Sequence, residues 1–413
     1  MKIALLSRWY WEENRRHGDE EGGPTQQLAE AVAALGHEVV VLSQSPETTK
    51  LMKSQVGALE TWLSSRDKRR GFFTGLRDKW AKSTYFHRKV YSDALDLRDF
   101  LAQRGPFDAL WAHAESPDGL VTAIAARLGV KLPPVLLQVQ ALRYRFEKGA
   151  PVFTEKLPLS LAFRQASRIL ANSEMIAGLL PRYTSKRLTA EDIQAKVRVV
   201  YPNLQRAFLR AAQQSPSEFQ PMEDRVLFLG ALNQGKGALV FLKALPKTEA
   251  WKRKSAFVVI GDFTEENPRF KQRWNETRES TRVQLVAARM EYLGRVSPDE
   301  VIRQIRLAHA VVVPSLFDAF SRALVEALIL GRPVVTTDKV GASPLVQTHQ
   351  CGVVVAPNDS DSLAHAIDVV LSPILPFAEN ALHIGQNLSH ELSPDAIAPY
   401  IVYHLGRIVA PAE

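Results

Sequence analysis

"PSLFDAFSRALVEALILGRPVV", Pro314–Val335, reads as the end of one strand, a loop, a helix and the start of the next strand. The apolar run "AVVV" precedes it and "RPVVTTD" closes it. Two continuous apolar strands joined through a helix form the unit of a parallel sheet buried on both faces. From Ala323 to Leu330 every residue but Glu326 is apolar, so this helix is expected to be buried. Burying a carboxylate costs several kcal/mol, as an order of magnitude, unless something pairs with it. Glu326 therefore needs a protein partner or a ligand. An exposed (i, i+4) pair with Arg322 is worth only tenths of a kcal/mol, roughly, which does not offset that cost. A vicinal diol donating two charge-assisted hydrogen bonds gives about 1.5–3 kcal/mol each, and a ribose carries such a diol.

The same pattern runs through the rest of the chain. "KIALLS", "HEVVVLS", "FDALWAH", "PVLLQVQ", "ASRILANS" and "KVRVVYP" read as strands, with helices such as "TQQLAEAVAALG" and "GLVTAIAARLG" between them. Residues 50–104 read as a helix-rich insert. Near Gln205 the texture turns polar in "QQSPSEFQPMED", and the alternation then restarts with "RVLFLG" and "AFVVIGD". The expected architecture is α/β: two Rossmann-like, doubly wound parallel-sheet domains, 1–205 and 206–390, and a C-terminal helix, 391–413, returning to the first. Two such domains facing each other would bind a ligand between them, at the carboxyl ends of their strands.

The 413 residues are 46% apolar and carry a net charge of +8. One cysteine, Cys351, excludes an internal disulfide and a Cys-rich zinc site. "MKIALLSRWYWEENRR" has too short an apolar run for a secretory signal, and the expected location is the cytoplasm. No run is apolar enough to span a bilayer. Between Lys50 and Asp99 stand twelve Lys/Arg against six Asp/Glu. There "RDKRRGFFTGLRDKWAKSTYFHRKVY" interleaves cations with Phe72, Phe73, Trp80, Tyr85 and Phe86. That mixture suits an anionic membrane surface on the cytoplasmic side; a solvated helix face is the plainer reading. No nucleic-acid motif accompanies the charge.

"GALNQGKG", Gly230–Gly237, comes close to a nucleotide-triphosphate P-loop but ends in glycine where a hydroxyl would hold magnesium. That counts against a phosphotransferase, while Lys236 remains at a strand-to-helix turn suited to phosphate. Asp318 lies in the loop after Pro314–Ser315, Ser321 is a candidate N-cap, and backbone N–H groups from Phe320 to Arg322 are candidates to hold an anion. Gly22 and Gly23 permit close approach to a ligand. His113 ends a strand and is a candidate to face the ligand.

These stretches resemble the retaining glycosyltransferases of family 4 (group 1), with the two-domain GT-B fold. "GGPTQQLAEAVAALGHEVVVLS" is similar to the family's opening glycine pair, helix and strand, which brings in Gly23. "FDALWAHAESPDGLVTAIAARLG" resembles its second strand and helix, and "FLGALNQGKG" its phosphate loop. Pro314–Val335 resembles its acid-x₇-acid signature. The resemblance implies that Glu326 holds the donor's ribose, Asp318 sits by the transferred sugar and Lys236 binds the diphosphate. It places the loop from Tyr292 through Gly294 to Arg295 near the base. His113 and Gln140 would line the acceptor side. It also implies retention of anomeric configuration, no metal or other cofactor, a nucleoside-diphosphate sugar as donor, and a saccharide or lipid-linked acceptor in bacterial surface-polysaccharide synthesis. The chain departs from the pattern at Asp318, where the family usually has glutamate, at Ala231, where it has arginine, and at Gln140, where many members have histidine. The alternative these departures raise is a catalytically impaired protein that binds nucleotide-sugar or a partner without turnover.

Overall fold

The computed structural model describes residues 1–8, 10, 22–45, 48, 51–65, 78–142, 144–145, 150–151, 153–214, 225–263, 268–284, 289–372 and 376–410. The chain divides into two compact units, Met1–Asn203 together with Pro394–Glu413, and Leu204–Ser393.

Unit 1 is built on an eight-stranded sheet: β1 (Lys2–Leu6), β2 (Glu38–Ser45), β3 (Met52–Val56), β4 (Leu59–Ser65), β5 (Ala109–Ala112), β6 (Val135–Val139), β9 (Arg168–Ala171) and β10 (Val197–Val199). Short strands β7 (Tyr144–Arg145) and β8 (Ala150–Pro151) pair only with each other. The sheet order is β10-β9-β6-β5-β1-β2-β4-β3, parallel except for the β3–β4 pair. The chain thus reverses direction across the sheet between β1 and β5.

The insert is helix-rich only in its second half. Met52–Val56 and Leu59–Ser65 form a hairpin closed at Gly57, whose φ is +61°. Aromatic and β-branched residues in "LETWLSS" favour a strand, and β4 takes the free edge of β2. Asp78–Arg104 is then one long helix. It buries Val90, Asp93, Ala94, Leu97 and Phe100, one helical stripe, and Arg104 in its last turn pairs with Glu38 and Glu60 at 2.5 and 2.7 Å. Residues 66–77, and the side chains to 88, lie outside the described residues, and with them most of the basic–aromatic stretch. The C-terminal helix Pro394–Val409 packs on the helix Pro24–Ala34 and on β5 and β6. Among the described residues no helix is long and apolar enough to cross a membrane.

Unit 2 holds a six-stranded parallel sheet: β11 (Arg225–Leu229), β12 (Ala256–Ile260), β13 (Arg289–Gly294), β14 (Ala310–Val313), β15 (Val334–Thr337) and β16 (Gly352–Val355). Its order, β13-β12-β11-β14-β15-β16, is the 3-2-1-4-5-6 arrangement of dinucleotide-binding sheets. β11, β14 and β15 are buried along nearly their whole length because helices cover both faces. The helix Arg322–Ile329 buries Leu324, Val325, Ala327, Leu328 and Ile329, as its apolar circumference requires. It ends at Gly331, φ +71°, where the N–H groups of Gly331 and Arg332 donate to Leu328 and Ala327 carbonyls. That geometry satisfies two last-turn carbonyls and turns the chain straight into β15.

Candidate active site

In unit 2 the chain reverses direction between β11 and β14, and the loops leaving these two strands meet. Leu316 N–H donates to Gly235 O at 2.8 Å, tying one loop to the other. Asn233 Oδ1 receives the backbone N–H of Lys236 at 2.9 Å and shapes the first loop. Lys236 Nζ reaches Asp318 Oδ2 at 2.5 Å, across 82 positions of sequence. The loop after β15 clamps Asp318 from the other side: its N–H donates to Lys339 O, and its carbonyl accepts from Gly341 N–H, both at 2.9 Å.

Gly237 explains why the P-loop pattern fails here. Its φ is +70°, and a Cβ at this position would lie 1.9 Å from the Pro314 carbonyl oxygen. The serine or threonine of a triphosphate-binding loop has no room, because β14 runs directly behind the turn.

Ser321 stands at the N-cap position, but its side chain makes no capping bond. The residue is buried in a left-handed conformation, φ +74°, ψ +89°, which is sterically costly for a side chain. N-cap residues that bond the helix have extended backbones, as Ser297 and Ser173 do here. Strain of this kind concentrates at functional sites. The first-turn N–H groups have no intrahelical partner. Among the described residues no loop acceptor meets those of Arg322 and Ala323. Phe320 is buried, and its carbonyl accepts from Ala342 N–H.

Arg322 is exposed and Glu326 half-buried, one turn apart on this helix. The (i, i+4) pair does not form: among the described residues Glu326 has neither an ion-pair nor a hydrogen-bond partner. Burial pushes its carboxyl up to about 7, and the nearby Arg322 charge only partly opposes this. The apolar helix therefore carries a carboxylate without a partner among the described residues, one turn from an arginine and the open N–H groups of the helix start.

Tyr292 and Gly294 end the edge strand β13, with β12 between them and β11. Tyr292 packs against Phe263, ring centroids 6.2 Å apart, and burial raises its phenol with Asp262 adding to the effect. Gly294 O accepts from Gly261 N–H at 2.9 Å. Both residues lie at the carboxyl end of β13, two strands from β11, whose following loop carries Lys236.

In unit 1 the structure brings His113 and Gln140 together at the ends of β5 and β6. Gln140 Nε2 donates to the His113 carbonyl at 3.3 Å, and its backbone N–H donates to Glu115 Oε2 at 2.8 Å. His113 N–H bonds Leu6 O, and its ring sits edge-on to Trp111. Gly23 is the N-cap of Pro24–Ala34 in an extended conformation, φ −78°; the left-handed residue of the pair is Gly22, φ +70°. Sequence reasoning missed Glu115, Asp118, Arg8 and Asp93. They are distant in the chain and carry no spacing signal.

Doubly wound sheets of this order take their ligands at the switch point, where this chain places Lys236 and Asp318. The chain belongs to the group 1 glycosyltransferases, with the GT-B fold of two parallel-sheet α/β domains. Residues 223–372 match the family model "Glycosyl transferases group 1", and residues 24–191 match "Glycosyl transferase 4-like domain". An uncharacterized glycosyltransferase of Methanocaldococcus jannaschii is 31% identical over 157 residues, 37% of each chain. The matched region thus spans well under half the length of that relative. Among solved structures, Anabaena HepE, in complex with UDP and glucose, aligns with a TM-score of 0.68 at 17% identity, covering 98% of this chain and 100% of that one. A UDP-forming trehalose-phosphate synthase from Burkholderia xenovorans aligns at 0.73 with 15% identity, covering 99% of both.

Proposed function

We propose that the chain is a retaining glycosyltransferase that moves a sugar from a nucleoside-diphosphate sugar to a saccharide or lipid-linked acceptor. The carrying observation is Glu326, unpaired in an apolar helix whose first turn adjoins the Lys236–Asp318 pair. Ribose hydroxyls would donate to Glu326. The diphosphate would draw Lys236 away from Asp318 and accept from Arg322 and the helix N–H groups, which stabilise charge on the leaving diphosphate. This reading assigns that charge to protein groups and needs no metal. Asp318, released from Lys236, would accept from hydroxyls of the transferred sugar. Tyr292 and Gly294 would border the base, Gly23 the donor, and His113 and Gln140 the acceptor. The two solved relatives named above hold or form UDP, which favours a uridine donor. We place the enzyme in the cytoplasm, peripheral to an anionic membrane where surface polysaccharide is built; the basic stretch after Lys50 supports that placement.

A thermal-shift panel of UDP-, GDP-, ADP- and dTDP-sugars on the wild type and Glu326→Ala tests the reading. A donor should stabilise the wild type and lose most of that effect in the variant. An undiminished shift in Glu326→Ala would remove Glu326 from the donor site.

A further inference from the structure

The switch point of unit 1, between β1 and β5, holds a polar recess that the assignments above do not use. Leu6, Leu42, Pro117 and Val121 line it, with Arg8, Gln44, Asp93 and Asp118 as its polar wall around a cavity of about 20 Å³, room for a single water or hydroxyl. Asp118 is only 2% exposed, and Gln44 and Asp93 7% each. Arg8 Nη2 donates to Asp93 Oδ2 at 2.7 Å. Among the described residues Asp118 Oδ1 receives only the Arg8 backbone N–H, at 3.4 Å, longer than a good N–H···O bond. Gln44 Oε1 and Arg8 Nε are buried without a hydrogen-bond partner. Two acceptors and one donor are thus left over around one recess, where buried polar groups are ordinarily satisfied.

The leftover set selects its ligand. Asp93 and Asp118 repel an anion. A bare cation would meet the Arg8 guanidinium, and among the described residues no cluster suits a metal ion. An apolar group would leave all three atoms unpaired. A hydroxyl both donates and accepts. We propose that this recess is a subsite for a hydroxyl of a neutral saccharide, which donates to Asp118 or Gln44 and accepts from Arg8 Nε. The inference rests on the reading that unit 1 takes the acceptor, and it makes Asp118 and Gln44 specificity-determining residues. Burial that raises the Asp118 carboxyl to about 7, with Arg8 opposing, fits a group awaiting a donor.

Saturation-transfer NMR on the full chain, with UDP present, tests this with methyl α-glucoside, α-mannoside and α-galactoside as probes. Asp118→Asn keeps the side-chain shape and Gln44→Met alters the opposite wall; thermal melts report folding of both. At least one glycoside should bind the wild type, and about ten- to hundredfold more weakly to each variant, the loss of a charge-assisted or buried hydrogen bond. UDP binding should be unchanged in both. Equal glycoside binding in the variants, or none to the wild type, overturns the subsite and leaves a recess for structural water only. Failure of UDP to bind the wild type instead overturns the glycosyltransferase reading.

Discussion

The two switch points share a topology and differ in charge. In unit 2, Lys236 and Arg322 stand with Asp318 and Glu326, two cations to two carboxylates. In unit 1, Arg8 and Lys89 stand with Asp93, Glu115 and Asp118, two cations to three carboxylates. Unit 2 keeps its lysine and arginine partly or fully exposed, so an anion can recruit them; unit 1 buries its carboxylates, so only a hydrogen-bond donor is welcome. The sheet order dictates where a ligand sits, and the side chains at the loop tips dictate which ligand chemistry each unit can take.

Lys236→Ala should break this contrast most severely. It removes the recruitable cation and leaves Asp318 uncompensated, so kcat/KM for transfer should fall about 100- to 1000-fold, as when one transition-state donor is lost. Steady-state kinetics check it; activity within a few fold of wild type would make the two switch points equivalent. Glu326→Ala should weaken donor binding about ten- to hundredfold by calorimetry. The pH dependence sharpens that claim. The folded-state carboxyl is raised to about 7, so its protonated form adds stability at acid pH that is lost as pH rises through about 7. Diol donors favour the ionised form, so donor affinity should drop as pH falls below about 7, and Glu326→Gln should flatten that profile.

Gly237→Ser would complete the triphosphate-loop spelling. The clash with the Pro314 carbonyl should instead lower unfolding stability by about 1–3 kcal/mol in a urea titration, without creating ATP hydrolysis. At the smallest scale, Ser297→Ala should cost about 1 kcal/mol because that hydroxyl bonds Glu300 N–H. Ser321→Ala should stay within about 0.5 kcal/mol, since its hydroxyl caps nothing.

The strand–loop–helix alternation and the special standing of Glu326 were legible because both are local: apolar runs, glycine stops, and one acid in a greasy helix. The 52–65 hairpin was not, because its strands are short and the charge-rich segment that follows outweighs their alternation. Ser321 reads as a cap by residue type; its left-handed backbone carries no such signal in the sequence. The Lys236–Asp318 pair and the Arg8–Asp93–Asp118 group join residues roughly a hundred positions apart, and only the strand order brings them together.

The central claim is that Glu326 grips a ribose diol. Calorimetric titration of UDP and 2′-deoxy-UDP into the wild type and Glu326→Ala tests it most directly. The wild type should prefer UDP by about tenfold or more, one good hydrogen bond to a charged group, and the variant should bind both equally. An undiminished preference in Glu326→Ala would contradict the account.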